Sequence, residues 1–242
     1  MSIPAKLRGV ANTFLCRFGL KLVRLNSLPE GRRMKMISYH NIGAVVDVGG
    51  NVGSYGEELR AAGFHKQIIS FEPAANAFNV LSFKAKGDAF WTVRKCAIGE
   101  TEGEVELNIA GNDGASSSIL PMCQRHKEAA PTAAYVGVES VPLMTLDKAL
   151  EGLLLPDEQV LLKLDIQGYE SMALAGAKQT LRQVALIECE LSLVQLYEGQ
   201  MCFDEMLALL KSLGFRPVQF SHAFIDAASG ESLQLDGMFS RY

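Results

Sequence analysis

Ala44-Val45-Val46-Asp47-Val48-Gly49-Gly50-Asn51-Val52-Gly53 is an apolar run that ends in Asp-x-Gly-x-Asn-x-Gly, and Ile68-Ile69-Ser70-Phe71-Glu72-Pro73 downstream is a second apolar run that ends in an acid. The first stretch supplies a strand and a turn poor in side chains that leads into a helix. The second supplies a carboxylate able to accept hydrogen bonds from a pair of ribose hydroxyls. Together they predict a nucleoside-bearing cofactor lying across the carboxyl ends of two adjacent parallel strands.

Outward from this pair the pattern alternates. Strands at 44–48, 67–72 and 90–98 are separated by helices at about 54–62 and 74–86, each closed by a glycine, Gly63 or Gly87. The rhythm resumes with Val160–Asp165, a helix at about 169–181, Val184–Glu190 and a helix at about 203–213. Arg216–Phe220 and Gly237–Tyr242 then read as a C-terminal hairpin. Short apolar strands alternating with helices predict a mostly parallel sheet with helices on both faces. Residues 99–147 break the rhythm. Glu104–Ile109 alternates as a half-exposed antiparallel strand does, Gly111–Ser118 is loop-forming, and Val138–Leu146 reads as another strand. This insertion is expected to cover one end of the sheet.

The bulk properties fit a single α/β domain of 242 residues with 48% hydrophobic side chains, and the net charge of −4 gives no nucleic-acid signature. The average hides an asymmetry. Residues 1–36 hold eight basic side chains (Lys6, Arg8, Arg17, Lys21, Arg24, Arg32, Arg33 and Lys35) against Glu30 alone. Apolar residues at helical spacing over 5–25 make this segment a basic amphipathic helical arm, suited to an anionic membrane surface, an acidic partner, or the edge of its own domain. No apolar run is long enough to span a bilayer. The five cysteines form no metal-binding or disulfide spacing, so a reducing, cytoplasmic setting is expected, with the arm peripheral at the inner face of a membrane.

Asn51 occupies a position that a nicotinamide or flavin fingerprint reserves for glycine. Asp47, just before the loop, is able to pair with a ligand ammonium and would repel a pyrophosphate. Glu72 follows twenty-five residues after Asp47, where an acid reaches the ribose. An amine and a ribose without a pyrophosphate describe S-adenosylmethionine. The alternative is that both acids merely cap helices.

With these residues in view the chain resembles the FkbM family of class I S-adenosylmethionine-dependent methyltransferases, from about Val45 to Phe215. The resemblance is carried by Asp47–Gly53, Phe71-Glu72-Pro73, Cys96-Ala97-Ile98-Gly99, Ser116–Ser118, Thr145-Leu146-Asp147 and Lys163-Leu164-Asp165-Ile166-Gln167-Gly168-Tyr169-Glu170. It implies a Rossmann-like, seven-stranded methyltransferase sheet with a reversed last strand and S-adenosylmethionine as donor. Asp47, Gly49, Gly50, Asn51 and Gly53 then match the loop that holds the methionine part. Glu72 matches the ribose acid, and Ala97 and Ile98 lie where the adenine is held. Residues 1–36 form the arm and 37–242 the methyltransferase domain.

Methyl transfer needs an aligned acceptor atom and, for a hydroxyl, somewhere for its proton to go. Asp165 ends the strand expected beside the first and is the leading candidate; its other reading is a carboxylate that shapes the Gln167-Gly168 turn. His222 is a second base candidate. Ser117, Ser118 and Glu188 are candidates for the acceptor. Glu188 and Glu190, two apart, share a strand face and with Asp165 would offer oxygen ligands to a divalent cation, but no Asp-Asn pair completes a metal pattern, so no metal is expected. The predicted activity is O-methylation of a hydroxyl on a sugar, glycan or small metabolite. The alternative is a non-catalytic module of this fold that docks through its arm.

Overall fold

A computed structural model describes residues 5–24 and 27–241 of the chain. Two helices precede the sheet, α1 (Ala5–Leu15) and α2 (Pro29–Tyr39). Helix α1 is shorter than the periodicity over 5–25 predicts, and Pro29 opens α2 at its first turn, where a missing N–H is harmless. The apolar run then forms β1 (Ala44–Val48), buried at every position, followed by α3 (Ser54–Ala61), β2 (Gln67–Phe71), α4 (Ala75–Ala85) and β3 (Trp91–Arg94).

The strand expected over 90–98 divides. Its first half stays beside β2, while β4 (Ala97–Gly99) leaves for a separate three-stranded sheet with β5 (Gly103–Ala110) and β6 (Tyr135–Thr145). Short helices α5 (Gln124–Ala129) and α6 (Leu146–Ala149) flank β6. The chain returns to the main sheet with β7 (Val160–Leu164), α7 (Glu170–Ala175), β8 (Val184–Ser192), α8 (Phe203–Ser212), β9 (Phe215–Ile225) and β10 (Ser232–Arg241). Helix α7 stops well before residue 181 because the Asp147 carboxylate captures the N–H groups of Gln179 and Thr180 at 2.8–3.1 Å, starting a separate turn. The hairpin strands β9 and β10 are longer than expected.

The main sheet has seven strands in the order β3-β2-β1-β7-β8-β10-β9. Pairings from β3 through β8 are parallel, and β10 runs antiparallel to both β8 and β9. One face packs Val46, Val48, Leu162 and Leu164 against Leu174, Met206 and Leu210. The other packs Val45, Leu161 and Ile68 against Ile37, Leu59 and Leu81. Each such side chain contributes about 1.5–3 kcal/mol through burial. The chain leaves β1 toward β2 and β3, then resumes on the other side of β1 with β7. That reversal opens a crevice at the carboxyl ends of β1 and β7, the place where open α/β sheets bind ligands.

Candidate active site

A cleft occupies this crevice, with about 640 Å³ of empty space that includes its opening to solvent. Gly49, Asn51, Glu72, Ala97 and Ile98 line it, as do Asp165, Ser117 and Ser118. The loop after β1 is pinned from below, since the Gly49 and Gly50 N–H groups both donate to the Phe71 carbonyl at 3.0 and 2.9 Å. Gly49 has φ +85°, and a Cβ there would lie 1.9 Å from the Asp165 carbonyl oxygen. Only glycine lets the two strand ends approach this closely.

Glu72 accepts hydrogen bonds at 2.8 Å from the N–H groups of Asn51 and Ala74, which fixes the carboxylate at the rim of the glycine loop. Burial pushes it up to about 7 despite those bonds, and burial does the same to Glu170, which caps the turn after Asp165. A carboxyl whose folded value exceeds its unfolded one near 4.5 binds its proton more tightly when folded, so its contribution to stability is lost as pH rises through that window. Glu72→Gln strands one of the Asn51 and Ala74 N–H groups, so it should lower Tm of the cofactor-free protein near about pH 4. The loss should shrink or reverse near about pH 8, where the parent carries its buried charge. Scanning calorimetry at the two pH values checks this. A Tm difference from the parent that is equal at both pH values, or a larger loss at the higher one, overturns it.

Beneath the loop, register aligns Ser70, Asp47, Lys163 and Glu188 in one row across β2, β1, β7 and β8. Asp47, expected to reach a ligand ammonium, is fully buried in this row and outside the cavity wall. Its Oδ2 accepts from the Ser70 hydroxyl at 2.9 Å, and the Trp91 indole donates to the same hydroxyl at 3.1 Å. Gly50 and Gly53 likewise face inward, against Leu81. They shape the loop from behind.

Lys163 joins the row to the cavity. Its ammonium is 2.9 Å from Asp165 Oδ2 and 3.9 Å from Asp47 Oδ1. Burial opposes its charge, but Asp165 and Asp47 outweigh burial and hold it protonated. Asp165 keeps 34% of its side-chain exposure, toward the crevice. Burial would raise its carboxyl; Lys163 and hydrogen bonds from Gln167 and Glu190 reverse this and hold it below the usual value. Gln167 Nε2 donates to Asp165 Oδ1 at 3.0 Å and to Glu190 Oε2 at 2.9 Å, while its own oxygen accepts from Tyr197 at 2.7 Å. Glu190 sits well above the usual carboxylate range through burial and the Asp165 charge.

Glu188 needs correction as an acceptor contact. It shares a strand face with Glu190 but is taken up by Arg33, whose Nε and Nη2 each reach one of its oxygens at 2.8 Å, and by the Tyr55 hydroxyl at 2.9 Å. Ser117 accepts from the Ala110 N–H at 3.0 Å, and Ser118 donates to the Gln167 carbonyl at 2.7 Å, so both hydroxyls fasten the 111–123 loop over the cavity. His222 pairs through its backbone with Leu235 in the β9–β10 hairpin; its side chain lies outside the described part. Among the described residues no group of three His, Cys, Asp or Glu is arranged to hold a metal ion. Sequence reading missed Arg33 and Tyr197 as supports. Neither position has a local signal, because each partner lies far away along the chain.

The donor set can be tested against S-adenosylmethionine. Asn51 Oδ1 is buried at the cavity wall with no hydrogen-bond donor, an acceptor suited to an ammonium or hydroxyl. Glu72 offers a fixed carboxylate, and Ala97 and Ile98 add apolar surface for a base. The residues fit.

The 2-O-methyltransferase NoeI of Sinorhizobium fredii (strain NBRC 101917 / NGR234) is 27% identical over 175 residues, covering 69% of this chain and 71% of that protein. Similar solved structures include magnesium protoporphyrin IX methyltransferase (ChlM) from Synechocystis PCC 6803 with bound SAM, at 11% identity and TM-score 0.45 over 100% of this chain and 99% of that one. TehB from Haemophilus influenzae matches at 8% identity and TM-score 0.47 over 95% and 66%. The profile of the methyltransferase FkbM domain matches residues 47–217, from the first acid of the glycine loop into β9. The chain belongs to the FkbM methyltransferase family and is an S-adenosylmethionine-dependent methyltransferase.

Proposed function

We propose that the protein methylates a hydroxyl oxygen on a small-molecule or glycan acceptor, with Gly49, Asn51, Glu72, Ala97 and Ile98 holding the cofactor and Asp165 taking the proton. One observation carries the reading: a single cavity joins the Asn51–Glu72 end to the Asp165 carboxylate. The 27% identity to a 2-O-methyltransferase supports oxygen as the acceptor atom. When bound, the cofactor supplies an electrophilic methyl group on a sulfonium.

With the donor bound, the acceptor oxygen would take that methyl group, and the electrons of the broken S–C bond would stay on sulfur. An oxygen gaining a methyl group becomes a very strong acid, so a carboxylate already held ionised is basic enough to take its proton. Lys163 keeps Asp165 charged before transfer, and Gln167 fixes its orientation. The loop at 111–123 forms one wall of the cavity and is fastened to it by the Ser118 bond to the Gln167 carbonyl. The acceptor is met at a membrane or assembly surface, to which the basic arm brings the domain.

Calorimetric titration with S-adenosylhomocysteine tests the core of this reading. The intact chain should bind, and Glu72→Ala should weaken binding by about tenfold or more, the effect of losing hydrogen bonds to a charged group. Absence of binding by the intact chain sinks the proposal.

A further inference from the structure

The arm is folded on itself. Helix α1 ends in a 3-10 turn at Cys16–Phe18, and Gly19 at φ +69° reverses the chain. The Leu20 N–H returns to the Leu15 carbonyl at 3.1 Å. Asn12 then clips the returning limb with both ends of its amide, Nδ2 to the Leu22 carbonyl at 3.0 Å and Oδ1 from the Leu22 N–H at 2.6 Å. The result is a helix with a limb laid back along it.

This hook presents apolar side chains outward. None of the side chains from Ala11 to Arg24 is buried, and Phe14, Phe18 and Leu20 are 60%, 66% and 58% exposed. The Phe14 and Phe18 rings touch at 5.4 Å between centroids. Arg17, Lys21 and Arg24 lie among them, and none of the three forms an ion pair with a described residue. No acid precedes Glu30 in the sequence.

From this we infer that the hook is a membrane-surface anchor that lays Phe14, Phe18 and Leu20 into the headgroup–acyl boundary of an anionic bilayer. The inference rests on the reading that the arm brings the domain to the surface where its acceptor is met. Three features select a bilayer. Aromatic and leucine side chains interleaved with unpaired cations match both the apolar and the anionic layers of a lipid surface. The Asn12 clip satisfies the Leu22 backbone, which removes two polar groups that an apolar boundary would penalise. No helix among the described residues is long and apolar enough to cross, so the hook lies in the interface.

Cosedimentation of the full chain with vesicles tests this. Binding to phosphatidylcholine vesicles containing about 30% phosphatidylserine should exceed binding to pure phosphatidylcholine by about tenfold or more and weaken at high salt. Phe14→Glu with Phe18→Glu should abolish it, and Asn12→Ala should weaken it. None of these changes should alter S-adenosylhomocysteine affinity. That separates this inference from the cofactor reading, which fails if the intact chain does not bind that ligand. Equal binding to both vesicle types, no binding to either, or polyglutamate outcompeting anionic vesicles overturns the inference; the last result would point to an acidic protein partner.

Discussion

Asp165→Asn should lower methyl transfer by about 10²- to 10⁴-fold, the range for removing a positioned proton acceptor, while S-adenosylhomocysteine affinity stays within about threefold of the parent. The asymmetry follows from where the carboxylate sits. Asp165 lies at the β1–β7 crevice with its side chain facing the cavity, whereas Asn51 and Glu72 lie on the loop after β1 and at the end of β2. Asparagine keeps the shape and one acceptor oxygen but does not take a proton at neutral pH. The substitution also removes the charge of the carboxylate 2.9 Å from Lys163 and leaves Asp47, 3.9 Å away, as the remaining carboxylate. A loss of activity through collapse of this row would lower Tm and ligand affinity together. Single-turnover transfer of a labelled methyl group, read beside calorimetric affinity, separates the two causes. Retention of rate within about threefold removes Asp165 from the proton-transfer role.

Sequence periodicity made the sheet legible because it records burial one element at a time. Val45 and Val46 are both buried, on opposite faces, which only a central strand of a two-sided sheet requires. The glycine loop was legible for a similar reason: Gly49 has a local geometric need. Lateral register has no such local trace. Nothing near Glu188 in the chain indicates that Arg33 occupies it, and nothing near Asp47 indicates that Ser70 and Lys163 flank it in the folded row. Asp47 and Glu188 therefore read as ligand contacts from the sequence, where the fold sets Asp47 in the buried row and ties Glu188 to Arg33. Ser117 and Ser118 border the cavity, and their hydroxyls fasten the loop through the distant Gln167 carbonyl and the Ala110 N–H.

The Arg33–Glu188 pair carries a large expected stability effect. Both side chains are only 12% exposed, and the contact is bidentate at 2.8 Å on each oxygen. Arg33 also stacks on Tyr55, its guanidinium carbon 4.6 Å from the ring centroid. Arg33→Met leaves a buried carboxylate with Tyr55 as its remaining donor in the α2–α3 layer, and breaking a buried pair from one side costs about 3–5 kcal/mol. For a domain of this size that lowers Tm by about 10 °C or more. Adding Glu188→Gln removes the stranded charge, keeps an acceptor for the Tyr55 hydroxyl, and should recover most of the loss. Thermal unfolding of the two variants decides the matter. A single variant within about 1 kcal/mol of the parent, or a double variant no better than the single, shows that the pair is screened like a surface contact. The expected result also bears on where the arm ends. Residue 36 falls inside α2, and Arg33 fastens that helix to β8. A large loss on removing Arg33 makes α2 part of the folded domain, and only the hook before it remains free to engage a surface.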